Sequence, residues 1–399
     1  MEIRLIPFFS QISPKGLKDD ILNQLSNIRG SLVDPDSYIS NSSKYRPCLF
    51  IGTGGTENDV EDFLKKHHLP PPIMILSYDL RNSLPAAMEI HSYLQHKGIE
   101  ARIVHAPLPE LNRILEEWIE FSEIVSKVQT STLGIVGKPS SWLIASKVNA
   151  DKVYKRWGLT IKELSLDPLI ESTRTTGESE HLAKLKESST SCTPSDNDME
   201  KAGRVAQALR DLVTTHNLEA VTVECFTLLM ETNVSGCFAL SLLNDLSEST
   251  AGCEGDVPAT FTMMLGKLLT GFPGFMSNVT KIDQEKNTAV FAHCTLPLSL
   301  VENYEITSHF ETGLSIGIRG KFKRQPVTVF KVHGEDLRDY WVSDGNIQDN
   351  LVNDTGCRTQ ILVKLEERVD YFLERSLANH HIVIPGRHAA RIHRFFSFI

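Results

Sequence analysis

The sequence predicts an α/β protein: two Rossmann-like parallel-sheet α/β domains followed by a C-terminal antiparallel β-barrel domain. Three observations point there. Short apolar runs alternate with amphipathic helical segments through the first 277 residues, the pattern of crossover units feeding a parallel sheet. Beyond Asn278 the texture changes to short runs rich in β-branched residues, separated by Gly, Asn and Asp, as in a barrel or sandwich. A chain of 399 residues is also too long for one ordinary core, so two or three domains are expected. The limits follow as 1–130 for the N-terminal α/β domain, 131–277 for a second α/β domain carrying a candidate catalytic glutamate, and 278–399 for the barrel.

In the first domain, residues 3–9, 47–51, 73–77 and 102–105 read as strands. Helices are expected through 62–66, 84–97 and 108–128. The turn Gly52-Thr53-Gly54-Gly55 invites a phosphate-loop reading, but it lacks the G-x-G-x-x-G spacing and a Walker lysine, and places Glu57 where an anion would need donors. A tight strand-to-helix turn needing positive φ is the better reading, and no nucleotide cofactor is assigned.

The second domain opens on a buried strand at 133–137. Residues 172–198, rich in Ser, Thr and charge, read as a surface excursion, partly helical around 181–186 and poorly ordered in places. A helix at 199–216, a strand at 220–224 and a helix at 240–246 lead to Cys253-Glu254-Gly255-Asp256. There Phe261, Met264, Leu265, Leu268 and Leu269 fall on one helical stripe, with Asp256 as cap, Pro258 in the first turn and Gly271 as stop. In the last domain, strands are expected within 289–293, 313–319, 327–332, 340–343 and 359–364, and a helix at 368–376.

Composition limits the function classes. Hydrophobic residues make up 41% and charged residues 23%, as in a soluble globular protein. A formal net charge of −9 argues against bulk attraction to nucleic acid or to an anionic membrane surface. The N-terminus does not read as a signal peptide, and no apolar run reaches the length of a membrane span. Seven scattered cysteines with no Cys-x-x-Cys pair suit a reducing, cytoplasmic setting. Cys253 and Cys294 read as small buried hydrophobes, without an activating base to make either a nucleophile.

Four residues stand out for chemistry. Glu254 precedes a helix N-terminus, Asn278 lies just past that helix, His293 closes an apolar run, and His380 follows Ala378-Asn379. Taken singly, Glu254 suits a capping carboxylate, His293 a core histidine bonded to the backbone, and His380 a satisfied polar residue. Together they make an oxygen and nitrogen set suited to Mn²⁺ or a similar divalent ion such as Co²⁺ or Mg²⁺. His381 competes with His380, because adjacent residues of a strand face opposite ways. Trp142 either packs in the core or stacks on a ligand.

These motifs carry a resemblance. Cys253-Glu254-Gly255-Asp256, Phe275-Met276-Ser277-Asn278-Val279, Ala292-His293-Cys294-Thr295, residues 313–320, Cys357-Arg358-Thr359-Gln360 and Asn379-His380-His381 occur in the order and spacing of the L-fucose isomerase and L-arabinose isomerase superfamily. The chain resembles in particular its smaller fucose-isomerase-like branch. The resemblance implies a divalent metal held by Glu254, by the residue 24 positions later, here Asn278, and by His380, with His293 matching the extra histidine of the arabinose isomerases. It implies aldose–ketose isomerisation of a small sugar such as a pentose or 6-deoxyhexose through a metal-assisted ene-diol, with Glu254 moving the proton and Asn278 at the position of a catalytic aspartate. It also implies a homo-oligomer, a trimer or hexamer. Asparagine in place of aspartate ligates through oxygen but carries no proton, so a sugar-binding or regulatory homologue without turnover is the alternative.

Overall fold

The computed structural model describes residues 2–25, 31–39, 45–175, 180–246 and 249–399. Two compact units emerge, one formed by Met1–Lys127 with Arg394–Ile399, the other by Val128–His393. No helix among the described residues is long and apolar enough to cross a membrane.

The first unit is built on strands β1 (Glu2–Phe8), β2 (Ser31–Leu32), β3 (Tyr45–Ile51), β4 (Ile73–Ser77) and β5 (Ala101–His105). They form a sheet in the order β2-β1-β3-β4-β5, every pair parallel. Its strand β4 is an apolar run with every residue buried, the pattern of a parallel sheet covered on both faces. The glycine turn after β3 is a steric device. A Cβ at Gly52 would lie 2.3 Å from the Phe9 ring, and Gly55 sits at φ +76°. In the same unit Arg394 grips Glu117 through two nitrogens at 2.7 and 2.8 Å.

In the second unit the early strands are β6 (Thr132–Val136), β7 (Thr160–Leu164), the two-residue β8 (Ser191–Cys192), β9 (Ala220–Val223) and β10 (Thr250–Cys253). Four of them form a parallel sheet ordered β10-β9-β6-β7. The Val257–Thr270 helix follows as its residue pattern predicts: Asp256 caps it by accepting from the Ala259 N–H at 2.9 Å, and Gly271 ends it at φ +78°. It is buried nearly all round rather than along one stripe, because the parallel sheet lies on one side and the barrel on the other. Gly266 permits a close approach to the barrel: a Cβ there would stand 2.6 Å from Ile384.

The later strands are β11 (Phe275–Asp283), β12 (Thr288–His293), β13 (Val301–Thr307), β14 (Gly317–Phe322), β15 (Pro326–His333), β16 (Asp339–Asn350), β17 (Thr359–Leu365) and β18 (His380–Pro385). Six close a barrel in the order β11-β12-β17-β16-β15-β18, each pair antiparallel. The chain thus has parallel-sheet α/β regions followed by a closed antiparallel barrel.

The details differ from the sequence reading in three places. The run at 313–319 is not a barrel strand; β14 starts at Gly317 and pairs with β13, outside the barrel. Pro297 cannot donate to a ladder, and a short 3-10 turn, Leu298–Leu300, carries the chain away after β12. Within the 172–198 excursion, helix Glu180–Ser188 forms and β8 adds to β13 in parallel, an element too short to show a period; residues 176–179 lie outside the described residues. The helix expected at 368–376 is only the turn Tyr371–Glu374, while a longer one, Ala389–Phe398, buries Ile392, Phe395 and Phe396 at helical spacing.

The strand-to-helix turn before the long helix packs directly against backbone. Gly255 has φ +68°, and a Cβ there would meet the Pro139 Cα at 2.5 Å and the Lys138 carbonyl oxygen at 2.7 Å. Gly255→Ala therefore combines left-handed strain with overpacking against backbone, and is expected to destabilise the fold by roughly 2–4 kcal/mol in urea unfolding. A change under about 0.5 kcal/mol, the range of an ordinary surface substitution, would contradict this reading of the turn.

Candidate metal centre

Glu254 follows the last residue of β10 and itself adopts φ +64°, a conformation that costs a non-glycine residue about 1–3 kcal/mol. Backbone bonds hold it there. The Ser140 N–H donates to its carbonyl at 2.9 Å, the Gly255 N–H to Val223 at 3.0 Å, and the Asp256 N–H to Cys253 at 3.1 Å. Strain of this kind persists only where the surroundings enforce it, and the carboxylate it positions lines a pocket of about 470 Å³.

Three neighbouring barrel strands bring up the other groups. Asn278 on β11 stands opposite His380 on β18 and opposite Ala292 on β12, whose next residue is His293. Ligand atoms of Glu254, His293 and His380 lie within 4.8 Å of one another, and all three residues are buried. His380 Nε2 is 3.5 Å from Glu254 Oε1, while its Nδ1 is 2.8 Å from Asp256 Oδ2. Asn278 lines the same pocket and its Oδ1 accepts from the Asn379 amide at 3.0 Å. His381 turns the other way: its Nε2 meets the Tyr371 hydroxyl at 3.0 Å amid Trp341 and Phe372.

The electrostatics follow from burial and pairing. Burial opposes a charged imidazole at His380, but the hydrogen bond to Asp256 and the negative charges of Asp256 and Glu254 outweigh it, holding its pKa up at about 9. Burial likewise opposes ionisation of Glu254, and His380, His293 and the Trp142 N–H overcome it, so the carboxyl titrates below its ordinary value. Asp256 is fully buried, and the Lys331 ammonium together with His380 holds it well below the carboxylate range. His293 goes the opposite way, pushed down to about 3 first by burial and then by the charge on His380. The elevation at His380 stabilises the metal-free fold below about pH 6.5, and that contribution is lost as pH rises through about 9.

The donor set fits a metal ion. His380 Nε2 is a buried nitrogen without a hydrogen-bond partner, whereas such atoms are nearly always satisfied. Its other nitrogen rests on a carboxylate, the arrangement that fixes the ring and raises the basicity of a ligating histidine. His293 is neutral; its Nδ1 accepts from the Thr295 N–H at 3.2 Å and meets the Thr295 hydroxyl at 2.9 Å, so Nε2 carries the ring proton and would bind a metal only in the other tautomer. Of the four residues the sequence singles out, Glu254, Asn278 and His293 line one pocket, and His380 lies buried behind it, within 4.8 Å of the Glu254 and His293 ligand atoms. By sequence Asp256 is a helix cap and Trp142 is open between core and ligand; in the structure Asp256 also holds His380 Nδ1 at 2.8 Å, and the Trp142 indole Nε1 donates to Glu254 Oε2 at 2.8 Å. The Glu-Gly-Asp spacing, two carboxylates flanking a turn glycine, was the available signal for Asp256.

No family model matches the chain. A sulfoquinovose isomerase from Clostridium sp. (strain MSTE9) is 22% identical over 258 residues, which cover 62% of this chain and 56% of that protein. The chain is similar to sulfoquinovose isomerases. Another, from Priestia megaterium (strain ATCC 12872 / QMB1551), is 22% identical over 260 residues, covering 62% of this chain and 58% of the relative. For one from Alkalicoccus urumqiensis the figures are 22% over 177 residues, 43% and 40%. The chain spans about half the length of the curated relatives it matches.

Because His380 holds a proton up to about pH 9, a divalent ion binding its Nε2 must displace that proton. Affinity for Mn²⁺ or Co²⁺ is expected to rise roughly tenfold per pH unit between about pH 6.5 and 9, with about one proton released per ion, as read by calorimetry in buffers of different ionisation enthalpy. Asp256→Asn keeps a capping oxygen but removes the carboxylate behind His380, and is expected to weaken the metal about 10–100-fold. Uptake independent of pH, or unchanged in that variant, would count against the centre.

Proposed function

We propose that this chain is a metal-dependent aldose–ketose isomerase acting on a small, uncharged sugar. The observation that carries the reading is the meeting of Glu254, His293 and His380 ligand atoms within 4.8 Å of one another, beside a pocket that Glu254 and His293 line. A Mn²⁺, Co²⁺ or Mg²⁺ ion held by these three residues, with the Asn278 amide oxygen beside them, would polarise sugar oxygens and make the C2 proton more acidic. The resemblance to fucose and arabinose isomerases and the likeness to sulfoquinovose isomerases both support this class of chemistry.

The protein groups divide the work. Glu254 is ionised at neutral pH, so it is ready to take the proton from C2 and return it to C1. Trp142 fixes the carboxylate by donating to one of its oxygens, and its ring, edge-on to Phe226 at 5.0 Å, stands half-exposed at the pocket. Asp256 keeps His380 in one orientation. Asn278 is held by Asn379 and cannot exchange a proton, which leaves Glu254 to carry the transfer. That asparagine is also the one feature favouring the alternative, a sugar-binding protein of this fold without turnover.

The lining favours a neutral substrate. No lysine or arginine faces the pocket among the described residues, while Glu254 and Glu311 do, together with Phe226, Leu229 and Phe310. A sulfonate or phosphate would meet these carboxylates with no lysine or arginine to pair it. With Mn²⁺ present, ketose formation is expected from a pentose or a 6-deoxyhexose and not from sulfoquinovose or sugar phosphates. Glu254→Gln is expected to lower the rate by about 10²–10⁴. Turnover surviving that substitution, or confined to anionic sugars, would refute the proposal.

A further inference from the structure

Five of the chain's seven cysteines, Cys225, Cys237, Cys253, Cys294 and Cys357, line the pocket that holds Glu254 and His293. All are free thiols. Two pairs lie as neighbours in that wall, Cys225 with Cys253 and Cys294 with Cys357. Strand register accounts for the second pair. His293 is the last residue of β12 and pairs with Thr359, the first of β17, so Cys294 leaves one strand beside the turn through which Cys357 enters the other. The pairs differ in access: Cys225, Cys253 and Cys294 are buried, whereas Cys357 is partly open.

We propose that Cys294 and Cys357 form a reactive dithiol, a modification site that a peroxide converts reversibly to a disulfide in the pocket wall. One sulfur attacks the peroxide, the O–O bond breaks, and a sulfenic acid and one water result. The second thiol then displaces the sulfenic oxygen as a second water and the S–S bond forms. Two thiols lose two electrons and two protons, and hydrogen peroxide is reduced to two waters. The bridge ties the residue next to His293 to the turn before β17. The partly open member of the pair gives the oxidant its entry, which the Cys225–Cys253 pair lacks.

Mass spectrometry of the intact chain tests this without reference to any enzymatic activity. Treatment with hydrogen peroxide is expected to remove two hydrogens, about 2 Da, restored by dithiothreitol, with a Cys294–Cys357 linked peptide in the digest. Cys357→Ser is expected to abolish the loss and Cys225→Ser to leave it intact. Phenylarsine oxide, which bridges neighbouring thiols with loss of one water, supplies a readout on the unmodified sequence: it is expected to protect Cys294 and Cys357 together from alkylation. A linked Cys225–Cys253 peptide instead, no mass loss under oxidation, or arsenical protection confined to other cysteines would each overturn the proposal.

Discussion

The Asp256 carboxylate is the contact on which the rest of the second unit depends. One of its oxygens caps the Val257–Thr270 helix through Ala259, and the other holds His380 at the start of β18. A single buried anion thus joins the parallel sheet, the central helix and the barrel. Removing one partner of such a buried, hydrogen-bonded pair typically costs about 3–5 kcal/mol, because the other charge is left without compensation. Fold stability and site geometry are therefore coupled here by construction.

The charges around that contact are arranged against burial rather than for it. Lys331 is fully buried in the barrel, its Nζ without a hydrogen-bond partner, and burial lowers its pKa while Asp256 raises it. Two carboxylates, a protonated imidazole and an ammonium share a region from which water is largely excluded. An array of this kind is costly as pure stabilisation; well-packed apolar residues would serve the fold as well or better. Its persistence beside the strained backbone of Glu254 is what a functional site would leave in a structure.

Much of this was legible in the chain because it rests on local pattern. Alternating strands and helices, the Asp256 and Gly271 caps and the β-rich texture after Asn278 are short-range signals, and they gave the fold class. What was hidden depends on distance. β14 reads like any barrel strand until Pro297 is seen to redirect the chain, and β8 has only two residues. The choice between His380 and His381 needed the register of β18 against β11, since either could face the helix N-terminus. The Trp142 to Glu254 bond spans 112 residues, and nothing in the local sequence announces it. The cysteine-lined wall likewise comes from five separate segments.

The central claim is that Glu254, His293 and His380 converge on one divalent ion. Anomalous diffraction from a crystal of the chain grown with Mn²⁺ tests it most directly. The account predicts a single strong peak bounded by the Glu254 carboxylate and the two imidazoles, with Asp256 still bonded to the far nitrogen of His380. A featureless map at that position, with His380 Nε2 bonded directly to Glu254 instead, would contradict it.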